Sequence, residues 1–210
     1  MTDQYIIKNE TELREVIGAE VPGLKDKVLG EMDSFAKEFL AKSPFLVLST
    51  SDNTGRIDAS PKGDHPGFVE MLDDKTLLVP DRPGNKLAFG HLNILQNPQV
   101  GLLFLIPGTP ETLRINGKAE LSHDPELLQQ LAARGKPATL VLKVQIEEVF
   151  FHCAKAFMRS NLWQSDTWPE RHRVSFGEMF AARAAVAGAE KEGLVNAVDN
   201  MVEQDYQENL

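Results

Sequence analysis

Three short stretches gather residue types that suit an anion. In RIDASPKGDHPG, residues 56–67, Ser60 ends an alternating run, Pro61 fixes the backbone, Lys62 offers three donors and Gly63 lets a ligand approach closely. A phosphate suits such a strand end; the alternative is a solvated loop with an exposed lysine. In VPDRPGNKLAFGHL, residues 79–92, Arg82, Asn85 and Lys86 surround a Pro-Gly turn at the predicted start of a helix. Free N–H groups and the helix dipole favour an anion there. Arg82 can fork onto two phosphate oxygens while Lys86 adds a compact charge. Charge-assisted hydrogen bonds contribute about 1.5–3 kcal/mol each, so two or three make an anchor. In TLRINGKAEL, residues 112–121, Arg114 and Asn116 share one face of an alternating strand beside Gly117. A flat ligand can lie against that face, or it is simply solvated.

A fourth stretch, FFHCAKAFMRSNLW at 150–163, mixes aromatic rings with Lys155, Arg159, Ser160, Asn161 and Trp163. That mixture suits a stacked ring system or an interface. Phe150, Phe151 and Phe157 are expected in the core, and Cys153 is expected to be a buried structural thiol. His65, His91 and His172 are scattered and show no zinc spacing, His123 reads as structural before a helix start, and His152 beside Cys153 is only a weak metal or nucleophile signal, so no metal site is expected. The chain has no nucleophile elbow, no Walker loop and no dinucleotide fingerprint, and no catalytic residue can be named from it.

Composition narrows the setting. The 210 residues are 42% hydrophobic and 25% charged, as in a soluble globular chain. The net charge of -9 disfavours nucleic acid, whose binding depends on cations placed on phosphates. It does not exclude a local cluster of cations holding one phosphate, since screening limits the rest of the field to about 8 Å. The longest apolar run, VGLLFLI at 100–106, is far short of the roughly 20 residues that span a bilayer, and MTDQYIIKNETE lacks an export pattern. One cysteine excludes an internal disulfide framework, so a reducing, cytoplasmic setting is expected.

The elements that must position these residues can be read from periodicity. Residues 9–42 predict two helices: Asn9 caps the first, Glu12 reaches back and Gly18 ends it, while Val28, Met32, Phe35 and Phe39 recur at helical spacing in the second. Strands are predicted at 45–50 and 56–60 around a turn containing Gly55, then at 75–80, at QVGLLFLI (buried on both faces), at 112–121, and as a long strand or strand pair in ATLVLKVQIEEVFFHC. Short helices are predicted in GNKLAFGHLNILQNP and DPELLQQLAARG, and a helical tail at 175–205. Strands in hairpin order with only short helices between them favour a mainly antiparallel sheet closed into a small barrel.

In order and spacing, FLVLSTSDNTGRIDASPKGD, DRPGNKLAFGHLNILQNPQVGLLFLIPG and TLRINGKAEL resemble the pyridoxamine 5′-phosphate oxidase-like FMN-binding split-barrel family, and most of all its flavin-nucleotide-binding members. The resemblance covers about residues 44–163. It implies a mainly β fold, a six-stranded antiparallel Greek-key split barrel, as a single domain over 1–210: N-terminal helices at 1–43, barrel at 44–163, C-terminal helical extension at 164–210. It further implies a homodimer with FMN at the subunit interface. Carried over by position, Ser60 and Lys62 sit near phosphate and ribityl chain, Arg82, Asn85 and Lys86 bind phosphate, and Arg114 and Asn116 lie near the cofactor. Arg159, Ser160 and Trp163 of a second subunit approach the isoalloxazine. The implied activity is FMN-dependent oxidoreduction of a small soluble substrate, with no nucleic-acid or membrane partner. The alternative is a flavin, haem or deazaflavin carrier or sensor without turnover. The acidic tail EKEGLVNAVDNMVEQDYQENL lacks the Arg and Trp pattern with which the true oxidase grips its substrate, which argues against pyridoxamine phosphate oxidation.

Overall fold

Alternating apolar residues between turn signals produce seven strands, one more than the sequence predicts. The computed structural model describes residues 5–209. The strands are β1 (Phe45–Ser51), β2 (Ile57–Gly63), β3 (Glu70–Asp73), β4 (Thr76–Asp81), β5 (Gln99–Leu105), β6 (Thr112–Ser122) and β7 (Leu140–His152). The additional one is β3, whose four residues, Glu-Met-Leu-Asp, are too short and mixed to show a period. All pairs are antiparallel, in the order β2-β1-β5-β6-β7-β4-β3. The helices are α1 (Glu10–Ile17), α2 (Ser34–Lys42), α3 (Phe89–Gln96), α4 (Pro125–Gln130), α5 (Lys155–Ser160), α6 (Phe176–Ala184) and α7 (Gly188–Asn209). The fold is therefore the predicted one in class: mainly antiparallel β with flanking helices.

Five of the strands turn one face to a common core. Leu46 and Leu48 of β1, Leu77 and Val79 of β4, Leu102 and Phe104 of β5, Leu113 and Ile115 of β6, and Leu142 and Val144 of β7 are buried in one cluster with Phe39 and Leu40 of α2. A smaller cluster, Leu78, Leu131, Ala138 and Val141, seats α4 on the other face of β4 and β7. Strand β5 is buried on one side only: Val100, Leu102 and Phe104 are buried, while Gly101, Leu103 and Leu105 are half-exposed.

The local capping signals form as predicted. Asn9 Oδ1 accepts from Glu12 N at 3.0 Å, its Nδ2 donates to Glu12 Oε1 at 2.7 Å, and Gly18 ends α1 at φ 87°. The second predicted helix is shorter than its periodicity suggests. Asp33 caps α2, and Val28–Met32 is not helical, because Leu29 exchanges backbone bonds with Val149 (2.9 and 2.7 Å) beside the part of β7 that β4 does not reach. A long-range partner outweighs a helical pattern there. Phe35, expected on the apolar face, is 70% exposed. The tail forms two helices, α6 and α7, with Gly177 against Val195 and Asp199 accepting from Ser175 Oγ at 2.8 Å and Gly177 N at 2.9 Å. No helix among the described residues is long and apolar enough to cross a membrane.

Candidate functional site

Strand β2 ends one side of the strand order and β4 lies next to the other end, yet their last residues meet. Cross-strand neighbours project to the same face. Lys62 is opposite Leu46 and Ser60 opposite Leu48, so both side chains turn toward the core side. Asp81 has the parity of Leu77 and Val79, which face the same core. The curled sheet thus brings Lys62 Nζ onto Asp81 Oδ1. Segment 56–63, expected to break into a loop after Ser60, instead continues as strand through Gly63. Pro61 is tolerated because β2 is an edge strand.

A second ion pair lies beside the first, and the two corners cross-pair. Arg82 Nε donates to Asp64 Oδ2 at 2.8 Å, and Arg134 Nη2 stands 3.8 Å from Asp64 Oδ1. The Asp64 side chain is only 2% exposed, and those of Lys62 and Asp81 are 16% and 12% exposed. His91, in the first turn of α3, places Nε2 3.6 Å from Asp81 Oδ1, near enough to act electrostatically but too far for a hydrogen bond. Burial pushes the Asp64 carboxyl up, but the His65 backbone N–H, the Arg82 guanidinium and the His65 ring outweigh it and hold the group below its ordinary value. For Asp81, burial is again the largest influence, and His91 and Lys62 together reverse it.

Two buried polar atoms at this seam have no partner among the described residues: Arg82 Nη1 and His91 Nε2. A buried guanidinium N–H without an acceptor is costly, and an anion would relieve it. The adjoining loop is shaped for close approach. Asn85 Oδ1 accepts from Leu87 N at 3.0 Å, and both Lys86 (φ 59°) and Ala88 (φ 53°) take the left-handed conformation. Residues without a glycine's freedom seldom adopt it, and such strain gathers at binding sites. Helix α3 starts at Phe89, later than predicted, so Arg82, Asn85 and Lys86 lie on the loop before it. Its N-terminus has no side-chain cap. Lys86 is exposed and has no ion pair among the described residues.

The remaining predicted residues stand elsewhere in the same chain. Arg114 and Asn116 occupy ladder rows with Leu103 and Gly101, on the face opposite Lys62. Asn116 Nδ2 donates to Glu148 Oε2 at 2.7 Å. Gly117 is small for the backbone rather than for a ligand: a Cβ there would lie 2.1 Å from the Gln145 carbonyl oxygen, at a bulge in the β6–β7 ladder. Arg159 is exposed on α5, and Ser160 Oγ donates to the Phe157 carbonyl at 3.2 Å. Trp163 stacks on Phe157 with centroids 5.6 Å apart and donates through Nε1 to the Thr109 carbonyl at 2.9 Å. Cys153, expected to be buried, is exposed just beyond the end of β7. Phe150 and Phe157, expected in the core, are half-buried, while Phe151 packs against the core. No cluster of metal-ligating side chains occurs among the described residues.

Four residues of the seam were not singled out from the sequence: Asp64, Asp81, His91 and Arg134. One signal was present. Each basic corner carries its own acid, Lys62 with Asp64 and Asp81 with Arg82, at spacings that allow reciprocal pairing.

Comparison with known proteins follows the same core. A family model described as Pyridoxamine 5′-phosphate oxidase matches residues 32–153. None of the curated proteins compared with the chain matches it. Among solved structures, HupZ of Group A Streptococcus is 19% identical, covering 57% of this chain and 93% of its own, with a TM-score of 0.47. A putative pyridoxamine 5′-phosphate oxidase from Lactobacillus delbrueckii is 22% identical over 58% of this chain and 95% of its own, TM-score 0.47. An FMN-binding protein from Syntrophomonas wolfei is 14% identical over 56% and 88%, TM-score 0.42. The family match spans more than half of the 210 residues, and the chain belongs to the pyridoxamine 5′-phosphate oxidase family.

Proposed function

We propose that the protein binds FMN with its phosphate at the seam where β2 meets β4, and that it serves hydride or electron transfer to or from a small soluble substrate. The carrying observation is Arg82 Nη1, a buried donor without an acceptor among the described residues, beside Lys62 and Arg134 and next to the uncapped start of α3. Arg82, Asn85 and Lys86 would hold the phosphate, with Lys62 and Ser60 on the same side. Asp64 and Asp81 keep Arg82 and Lys62 in place and offset part of their charge, so the seam remains cationic without being overcharged. The flavin supplies the hydride-accepting chemistry, and the protein's part is to hold, orient and tune it.

A homodimer completes this reading. Phe45, Val47, Leu103 and Leu105 are half-exposed or exposed on the outer sheet face, continuous with the rows that carry Arg114 and Asn116. Since those two side chains face away from the seam of their own chain, contact between them and a cofactor requires a second copy. The same holds for the proposed approach of Arg159, Ser160 and Trp163. A cytoplasmic setting accords with the exposed thiol of Cys153.

The test is a titration of the purified protein with FMN and with riboflavin, followed by absorbance and fluorescence. Arg82→Ala with Lys86→Ala should weaken FMN by about a hundredfold, two charge-assisted bonds at about 1.5 kcal/mol each, and leave riboflavin nearly unchanged. Equal losses for both ligands, or no flavin binding by the unaltered protein, would overturn the assignment. Anaerobic bleaching by NADH or NADPH separates an oxidoreductase from a flavin module that does not turn over.

A further inference from the structure

Two donors from different elements are aimed at one oxygen, Asp81 Oδ1, and only one of them is bonded to it. Lys62 Nζ, from edge strand β2, makes the bond. His91 Nε2, from the first turn of α3, stops 3.6 Å short of the same atom. The His91 side chain is 16% exposed, and Nε2 is buried with no hydrogen-bond partner among the described residues. Such a nitrogen costs free energy, and native proteins keep few of them. Other charged groups around α3 face elsewhere: the Asp58 carboxylate lies 3.2 Å from where a Cβ on Gly90 would stand, and the Arg56 guanidinium lies over the Phe89 ring, 4.5 Å from its centroid. Among the described residues, Asp81 is the carboxylate that the His91 ring meets.

Of the two cations at the seam that hold an acid, Lys62 is the one suited to change partner. Its ammonium is a point charge on a flexible stem, whereas the planar Arg82 fork is held by Asp64 at 2.8 Å and already keeps Nη1 for an acceptor. The obstacle is Asp81. Its side chain is 12% exposed, and a shielded carboxylate stripped of its lysine is strongly destabilised. His91 removes that obstacle, since a movement of about 0.5–1 Å brings Nε2 within hydrogen-bonding distance of Oδ1.

We propose that His91 is a positioning residue for the phosphate site: as the FMN phosphate draws Lys62 off Asp81, the His91 Nε2–H closes on Asp81 Oδ1 and takes the lysine's place. The inference rests on the reading of the seam as the FMN phosphate site and adds to it an exchange of partners at one oxygen. Only hydrogen bonds change, and the hydrogen stays on Nε2 throughout. A phosphate discriminates between the two arrangements because only one of them offers it Lys62, and a ligand shifts an equilibrium only by such a difference.

The test records the imidazole nitrogen and proton resonances of the full chain by NMR at neutral pH, with His91 identified by its loss in His91→Gln. FMN should move the His91 Nε2–H signal downfield to the position of a hydrogen-bonded N–H, and riboflavin, which lacks the phosphate, should not. Lys62→Met, recorded well below its melting temperature, should show the same downfield signal with no flavin added. His91→Leu should weaken FMN about tenfold, the loss of one charge-assisted contact, with riboflavin nearly unchanged. His91→Gln, whose amide N–H reaches toward the same oxygen, should restore most of that loss. The exchange is refuted if FMN and riboflavin move the His91 signal alike, if Lys62→Met leaves it where it stands in the unaltered protein, or if His91→Gln loses as much affinity as His91→Leu. Should Lys62→Met fail to fold, the FMN and riboflavin spectra decide. Failure of the unaltered protein to bind FMN overturns the flavin reading and with it the ligand named here, while the Lys62→Met comparison, which needs no ligand, still decides whether His91 is the second partner of Asp81.

Discussion

Replacing Lys62 by Met tests whether the seam ion pair joins the two ends of the curled sheet. The Lys62 and Asp81 side chains are 16% and 12% exposed, so the pair is well shielded from water. Removing Lys62 leaves the Asp81 carboxylate with only His91, at 3.6 Å and beyond hydrogen-bonding distance. Breaking a buried pair from one side costs about 3–5 kcal/mol, and the residual exposure favours the lower figure, about 3 kcal/mol. For a domain of this size that lowers the melting temperature by about 6–12 °C. The control is Lys42→Met, which breaks the Lys42–Glu38 pair, exposed at 62% and 66%, and should cost less than about 1 kcal/mol. Urea and thermal denaturation at neutral pH measure both. The pH dependence follows from the same carboxylates. Asp64 and Asp81 titrate below the ordinary 3.8 when folded, so the unfolded chain binds their protons first. Their contribution is fully present above that value and declines as pH falls through it toward the folded values. The gap between the unaltered protein and Lys62→Met should therefore narrow in acid. If Lys62→Met costs no more than Lys42→Met, or the gap widens in acid, the account of barrel closure is wrong.

Gly117→Ala forces a Cβ to within 2.1 Å of the Gln145 carbonyl oxygen and should destabilise by about 3 kcal/mol or more in urea titrations. Gly177→Ala places a Cβ 2.4 Å from the Val195 carbonyl oxygen, so α6 should separate from α7; limited proteolysis should then cut the tail faster while the near-ultraviolet signal of the barrel persists. Arg134, 60% exposed and 3.8 Å from Asp64, should contribute little to stability, under about 1 kcal/mol in Arg134→Ala, while the same variant measurably weakens FMN and spares riboflavin in the flavin titration.

Much of the barrel was legible from local chemistry. The Asn9–Glu12 cap, the Gly55 turn, the alternation of Leu113, Ile115 and Ala119 in β6 and the two Gly-adjacent basic corners each depend on neighbours within a few residues, and periodicity reports such arrangements directly. Where pairing partners were distant, the sequence pattern misled. Val28–Met32 has helical spacing but is not helical, with Leu29 bridged to Val149. Cys153 follows an apolar strand but is exposed.

The sequence by itself determined which faces are apolar, where the chain turns and which residues carry charge, because these follow from side-chain type and spacing. Only the tertiary structure decided that Lys62 answers Asp81 and Arg82 answers Asp64, that His91 and Arg134 join them, and that Arg114 looks out from the opposite face. The physical reason is that a strand's period assigns each side chain to a face, while the curl of the whole sheet assigns that face its partners.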